Sequence, residues 1–168
     1  MKKLTLIALV NAVLLTACQS QTIMPKATQT QITQSKPAES AMQKTHTIKS
    51  QYTFSETVDK LSQTIEDKGM TIFATIDHKQ AAQDAGLDMQ PATVIVFGTP
   101  KAGTPFMLKD PTFALQLPLK VLVTEVGDEV LVSFHDTKAM VDGSQITFDD
   151  VKDSLAKAEM LIKKTVTE

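Results

Sequence analysis

Apolar positions fall into three regimes along the chain. They are nearly continuous from Leu4 to Leu15, sparse from Gln19 to about Lys44, and periodic from Thr45 onward. The periodic part carries the fold. Thr45 to Thr53 alternates weakly, with Ile48 and Tyr52 on one side and Lys49 and Gln51 on the other, which predicts an edge strand. Ser55 then reads as an N-cap, Val58, Leu61 and Ile65 recur at helical spacing, and Gly69 ends the helix as a residue free to take positive φ. Met70 to Ile76 is rich in β-formers and predicts a strand with Met70, Ile72, Ala74 and Ile76 on one face. Asp77 caps a short helix through Ala81, Ala82 and Ala85 that stops at Gly86.

Thr93 to Phe97 is apolar throughout and reads as a central strand buried on both faces. Thr104-Pro105 and Asp110-Pro111 each place a capping residue before a proline, so two short helices are expected to start there. Leu119 to Val126 and Glu129 to Phe134 predict strands joined by a hairpin turn at Gly127-Asp128. Thr147 with Asp150 three residues on forms a capping-box pattern, and Val151, Leu155, Ala158, Leu161 and Ile162 make the stripe of a long C-terminal amphipathic helix. Strands interleaved with helices around a local hairpin predict an α+β fold. The expected architecture is a two-layer domain over residues 45–168, a mixed sheet of about five strands with helices packed on one face.

The first regime has a different meaning. Met1-Lys2-Lys3 followed by roughly a dozen apolar residues fits a signal peptide over residues 1–17, and is shorter than the about 20 residues that span a bilayer. Leu15-Thr16-Ala17-Cys18 resembles the lipobox of bacterial lipoproteins, in which the cysteine thiol receives diacylglycerol. Cys18 is the single cysteine; a lone thiol in an oxidising compartment has no disulfide partner, whereas an acylated one needs none. The chain is therefore expected to be a membrane-anchored lipoprotein facing the periplasm. Gln19 after the cysteine favours the outer membrane if the source is Gram-negative. Residues 18–44, dominated by Gln, Thr and Ser, read as the lipidated cysteine and a disordered tether.

Charge and composition then narrow the chemistry. Net charge is −2 overall; without Lys2 and Lys3 it becomes −4, from 15 lysines against 19 acids. Every basic residue is lysine, there is no Trp and one Tyr. Nucleic-acid binding, which draws on basic clusters and stacking platforms, is not expected. With Cys18 acylated, no thiol is left for redox or nucleophilic chemistry.

Residues Ile76-Asp77-His78, Ala82, Gly86, Gly98-Thr99-Pro100, Gly103-Thr104-Pro105, Asp110-Pro111 and Leu117-Pro118-Leu119-Lys120-Val121 follow one another in an order that resembles the bacterial and archaeal family called domain of unknown function 302. The resemblance covers about Tyr52 to Asp136. It differs at Thr99, where the family often has Asn, and at Gln116, where it often has an acid. It implies a compact α+β domain, a dimer in some members, and supplies no reaction.

Two constellations could carry chemistry. His78, His135 and Asp136, with Asp77 beside His78, would suit a divalent metal if the two sheet ends converged; as plain structure, Asp77 and Asp136 cap turns or helices. The segment from Gly98 to Thr104 has the glycine spacing of a phosphate loop but lacks the lysine after the second glycine, and Pro100 and Pro105 remove donors. What remains is a helix start at Thr104 that would hold a small anion or ligand, with Asp77, His78, Thr99, Lys101 and Lys120 as neighbouring candidates. No catalytic motif appears and no cofactor is identified beyond that divalent metal. The primary expectation is a non-enzymatic ligand-binding or protein-interaction domain of the cell envelope. The alternative is a metal- or anion-dependent enzyme using His78 and His135 with neighbouring acids.

Overall fold

A computed structural model describes residues 44–168; the expected signal peptide, Cys18 and the expected tether up to residue 43 lie outside the described residues. Five strands and six α-helices follow in the order β1 (Thr45–Lys49), α1 (Phe54–Asp67), β2 (Thr71–Asp77), α2 (His78–Asp84), β3 (Ala92–Gly98), α3 (Pro100–Lys109), a 3-10 helix (Pro111–Gln116), β4 (Leu119–Val126), β5 (Glu129–His135), α4 (Thr137–Val141), α5 (Phe148–Val151) and α6 (Leu155–Thr167). The strands form one sheet in the order β1-β5-β4-β3-β2. All four pairings are antiparallel, not mixed as the interleaving of strands and helices suggested. The helical links α2, and α3 with the 3-10 helix, each bring the chain back beside the strand it left but running in the opposite direction, so they act as long antiparallel connections and not as the crossover that a parallel pair needs.

Helices α1 and α6 close one face of the sheet. Leu61 and Ile65 from α1, and Ala158, Ile162 and Val166 from α6, pack with Ile95, Phe97, Val121, Val123, Val132 and Phe134. The opposite face carries Val94, Val96 and Leu122, all half-buried, so β3 is buried fully on one face rather than on both. A second, smaller core joins Phe113, Met140, Val141, Ile146, Val151 and Leu155, with Phe106 and Leu117 against it. It ties α3 and the 3-10 helix to α5 and the start of α6.

Local signals explain most boundaries. The cap of α1 is Thr53 rather than Ser55, and it forms a reciprocal capping box with Glu56; both residues lie in the first turn, and only Thr53 has an acid three residues on. Asp77 caps α2, its Oδ1 accepting the Gln80 N–H at 2.9 Å. Gly127 has φ 60° in the two-residue link between the paired Val126 and Glu129, a conformation that favours glycine.

Three elements depart from their predicted form. In β2 the register shifts between Ile72 and Ala74; Phe73 occupies the bulge, so Ile72 faces the core while Ala74 and Ile76 face away. Helix α3 begins at Pro100, five residues before the expected start, with Pro105 inside it. The C-terminal helix is two, because the chain turns at residues 152–154 between α5 and α6. Thr147 and Asp150 do form the predicted capping box at α5.

Candidate functional site

Eight of the motif residues, Gly98, Thr99, Pro100, Gly103, Thr104, Leu117, Pro118 and Leu119, line one cleft. A cavity of about 250 Å³ is lined by Met70, Phe73 and Gly98 beside the sheet, Thr99, Pro100, Ala102, Gly103, Thr104 and Met107 around α3, Leu117 to Leu119, and Ser154, Leu155 and Ala158 at the start of α6. The bulge in β2 is what turns Phe73 toward it, since an added residue re-aims a side chain out of the strand's alternation. Gly103 lets α3 approach Leu117 closely: a Cβ there would lie 3.2 Å from Leu117 Cδ1. None of the lining side chains is ionisable; they are aliphatic, aromatic, thioether or hydroxyl groups. Thr99 caps α3 by position, but its hydroxyl makes no capping hydrogen bond, and it offers the cleft a polar handle in an apolar wall.

Asp110, of the Asp-Pro motif, braces this wall from behind. It is buried, accepts from the Thr112 N–H at 3.0 Å and Thr112 hydroxyl at 2.6 Å, and from the Gln145 N–H at 3.0 Å. The Thr112 hydroxyl, then the Gln145 N–H, hold its carboxyl below the usual carboxylate range despite burial. Nearby, Lys109 donates to Asp150 Oδ2 at 2.7 Å, and with Thr147 it holds the Asp150 carboxyl far below that range. Both depressed groups stabilise the fold above the ordinary carboxylate pKa of about 4 and cease to do so as pH falls through their lower folded values. Urea unfolding followed from pH 7 to pH 2 is therefore expected to show stability falling steeply in the acid range. Asp110→Asn should flatten that fall; an equally steep profile in this variant would remove Asp110 from the acid response.

The sequence-predicted anion site does not form as expected. Thr104 lies inside α3, and the N–H groups of Ala102 and Gly103 at the true helix start both donate to Thr99 O, at 2.9 and 3.0 Å. Thr99 and Thr104 line the cleft, whereas Lys101 is exposed outside its lining. Lys120 donates to Pro118 O at 3.2 Å and, with His135, borders a separate cavity of about 20 Å³.

Nor are His78 and His135 brought together. Asp77 is level with Thr93, Val123 and Val132 across the sheet, so His78 and His135 stand three strands apart and at opposite ends. From strand spacing and rise this is on the order of 20 Å, too far for one ion with bonds of about 2.0–2.1 Å. Asp136 instead caps α4, its Oδ1 accepting the Ala139 N–H at 2.8 Å, and its Oδ2 meets His46 Nε2 at 2.8 Å. Glu159 Oε1 lies 3.1 Å from the same nitrogen. Burial pushes both carboxyls up, but Ala139 and His46 on Asp136, and Lys163 and Thr137 on Glu159, outweigh it and hold both below the usual range.

The sequence reading missed His46 and Glu159. Both left a signal: His46 is two residues before Ile48 on the same strand face, and Glu159 falls four after Leu155 and three before Ile162, an acid within an apolar stripe. Phe73 and Ser154 left none, because a bulge and a helix break placed them.

Fold and site together define a two-layer α+β domain with several of its motif residues around one apolar cleft. The chain belongs to the family described as "Domain of unknown function DUF302", whose model matches residues 46–166. Over 81 residues it is 35% identical to the protein named "Fluoride-specific ion channel FluC 1" in Brucella suis biovar 1, a match taking in 48% of this chain and 32% of that one. It is likewise 35% identical over 81 residues to "Fluoride-specific ion channel FluC 2" of Brucella melitensis biotype 1, there covering 30% of the relative. The match thus spans under a third of the length of these curated relatives. The crystal structure of an uncharacterized conserved DUF302 protein from Bacillus stearothermophilus shares the fold, with a TM-score of 0.62 at 15% identity over 73% of this chain and 94% of that one.

Proposed function

We propose that this protein is a non-enzymatic binding module for a small, uncharged, apolar molecule, held at the envelope membrane by lipid on Cys18. The observation that carries the reading is the lining of the cleft, which includes the Gly98-Thr99-Pro100, Gly103-Thr104 and Leu117-Pro118-Leu119 motif residues and presents no ionisable side chain. A site without a titratable group offers no general acid or base, while apolar area removed from water stabilises a ligand by about 25 cal/mol per Å². At about 250 Å³ the cleft lies just below the usual range of ligand sites, about 300 to 1,000 Å³, so its occupant would be small. The Thr99 hydroxyl would orient the occupant through one hydrogen bond.

The lipobox-like run Leu15-Thr16-Ala17-Cys18 after an apolar segment supports the membrane setting, as does the name of the Brucella relatives, "Fluoride-specific ion channel". Among the described residues no helix is long and apolar enough to cross a membrane, so the anchor would be the acyl chains, each buried methylene contributing about 0.8 kcal/mol.

The test is binding of N-phenyl-1-naphthylamine, a neutral apolar fluorophore, to the chain expressed in a Gram-negative host. The native chain is expected to incorporate labelled palmitate and fractionate with membranes. Cys18→Ser should lose the label and be released, while still enhancing the probe's fluorescence. Ala102→Phe, which fills the cleft from α3, should weaken probe binding at least tenfold at unchanged melting temperature. Equal binding by Ala102→Phe sinks the cleft reading, and a labelled Cys18→Ser chain sinks the anchor.

A further inference from the structure

We propose that His46, Asp136 and Glu159 form a site for a first-row divalent transition-metal ion, separate from the apolar cleft. The three residues come from β1, the start of α4 and the middle of α6. One ligand atom from each lies within 4.8 Å of the others.

His46 Nε2 lies 2.8 Å from Asp136 Oδ2 and 3.1 Å from Glu159 Oε1. A bare imidazole nitrogen and two carboxylate oxygens all present lone pairs, and they repel unless something positive sits among them. A proton on Nε2 satisfies this, donating to both oxygens. A divalent cation satisfies it too, by displacing that proton and accepting all three lone pairs.

Distances favour one coordination geometry. Cis ligands of an octahedral ion with bonds of about 2.0–2.2 Å stand about 2.8–3.1 Å apart, whereas tetrahedral ligands at the same bond length stand about 3.3–3.6 Å apart. The two nitrogen-to-oxygen separations, 2.8 and 3.1 Å, fall in the octahedral range. The ligand set, one imidazole and two carboxylates, leaves three of six positions for water. Nitrogen in the set favours manganese, iron, cobalt, nickel or zinc over magnesium.

The surroundings fix the ligands as a metal site needs. Asp136 commits Oδ1 to the Ala139 N–H at 2.8 Å and turns Oδ2 to His46. Glu159 commits Oε2 to the N–H and hydroxyl of Thr137, at 3.1 and 2.8 Å, and turns Oε1 to His46. Thr137 is 2% exposed, so that support is rigid. The imidazole leans on Phe134, with ring centroids 5.6 Å apart. The competing charge is Lys163, whose Nζ donates to Glu159 Oε1 at 2.8 Å. Its side chain is 39% exposed and free to swing into water when a cation arrives.

Lys163 gives the decisive variant. The full chain, stripped with a chelator, is titrated with Co²⁺ and with Mn²⁺ by calorimetry, and Co²⁺ binding is followed by its visible absorption. One ion per chain is expected, with the weak bands of an octahedral nitrogen–oxygen site and no displacement by millimolar Mg²⁺. His46→Ala and Glu159→Gln should each weaken binding at least tenfold. Lys163→Met, which removes the rival cation and leaves all three ligands, should tighten it severalfold. No binding by the stripped chain, or binding unaffected by His46→Ala, overturns the site. So does weaker binding in a folded Lys163→Met chain, which would mark the cluster as an ion-pair network joining β1 to α6. Probe binding in the apolar cleft should be the same with and without metal, so the two readings stand or fall separately.

Discussion

Replacing Phe97 by alanine is expected to lower the unfolding free energy by about 3–5 kcal/mol, the range for truncating a fully buried phenylalanine. Phe97 is 0% exposed. It lies on β3 between Ile72 of β2 and Leu119 of β4, and packs into the core that α1 and α6 close over the sheet. The ring has no room to be replaced by relaxation, because strands flank it on both sides and helices cover it. With total stabilities of domains at about 5–15 kcal/mol, this single change removes a large share. The measurement is the urea midpoint, which should fall while the dependence on urea stays constant. A loss under about 1 kcal/mol would mean that Phe97 is not in the core.

Phe113→Ala is expected to cost a similar amount, about 3–5 kcal/mol, but to do something Phe97→Ala does not. Phe113 is 1% exposed and belongs to the smaller core with Met140, Val141, Ile146, Val151 and Leu155. Its ring meets that of Phe106 edge-on, with centroids 6.2 Å apart and planes at 79°. Phe106 sits on α3 beside Met107, which lines the cleft. Truncation at Phe113 should therefore loosen the α3 wall, and binding of N-phenyl-1-naphthylamine should weaken well below the melting temperature. Phe97→Ala should leave binding intact until the domain unfolds. Parallel loss of binding and fold in both variants would show that the smaller core has no special hold on the cleft.

Much of the fold was legible because its signals are local. Asp77 and the Thr147–Asp150 pair reveal helix starts through side chains that reach their own backbone, and the hairpin at Gly127-Asp128 needs only the two strands beside it. The cleft was partly legible: Thr99 and Thr104 were candidates and both line it. The helix start at Thr104 that the anion version of that reading needed is not there. Proline at position 105 marked that start by rule, yet α3 runs through it from Pro100. A proline in the early turns forfeits few hydrogen bonds, so packing against Leu117 and the smaller core can override the local preference.

The metal reading shows the same division from the other side. Asp136 was identified and His78 and His135 were paired with it, but the strand order and register set those two histidines three strands apart and at opposite ends of the sheet. The partners that do meet Asp136 are 90 and 23 residues away, on an edge strand and the last helix.

What the sequence determined by itself was the α+β class, the position of most helix caps and turns, the two-layer pattern of buried positions and the family motifs. These depend on side chains and backbone within a few residues of one another. Only the tertiary structure decided the antiparallel strand order, the bulge that aims Phe73, the break between α5 and α6, and hence which residues share the cleft and which surround His46. Those follow from pairings between distant segments, whose free energies arise from packing and are not written in any local period.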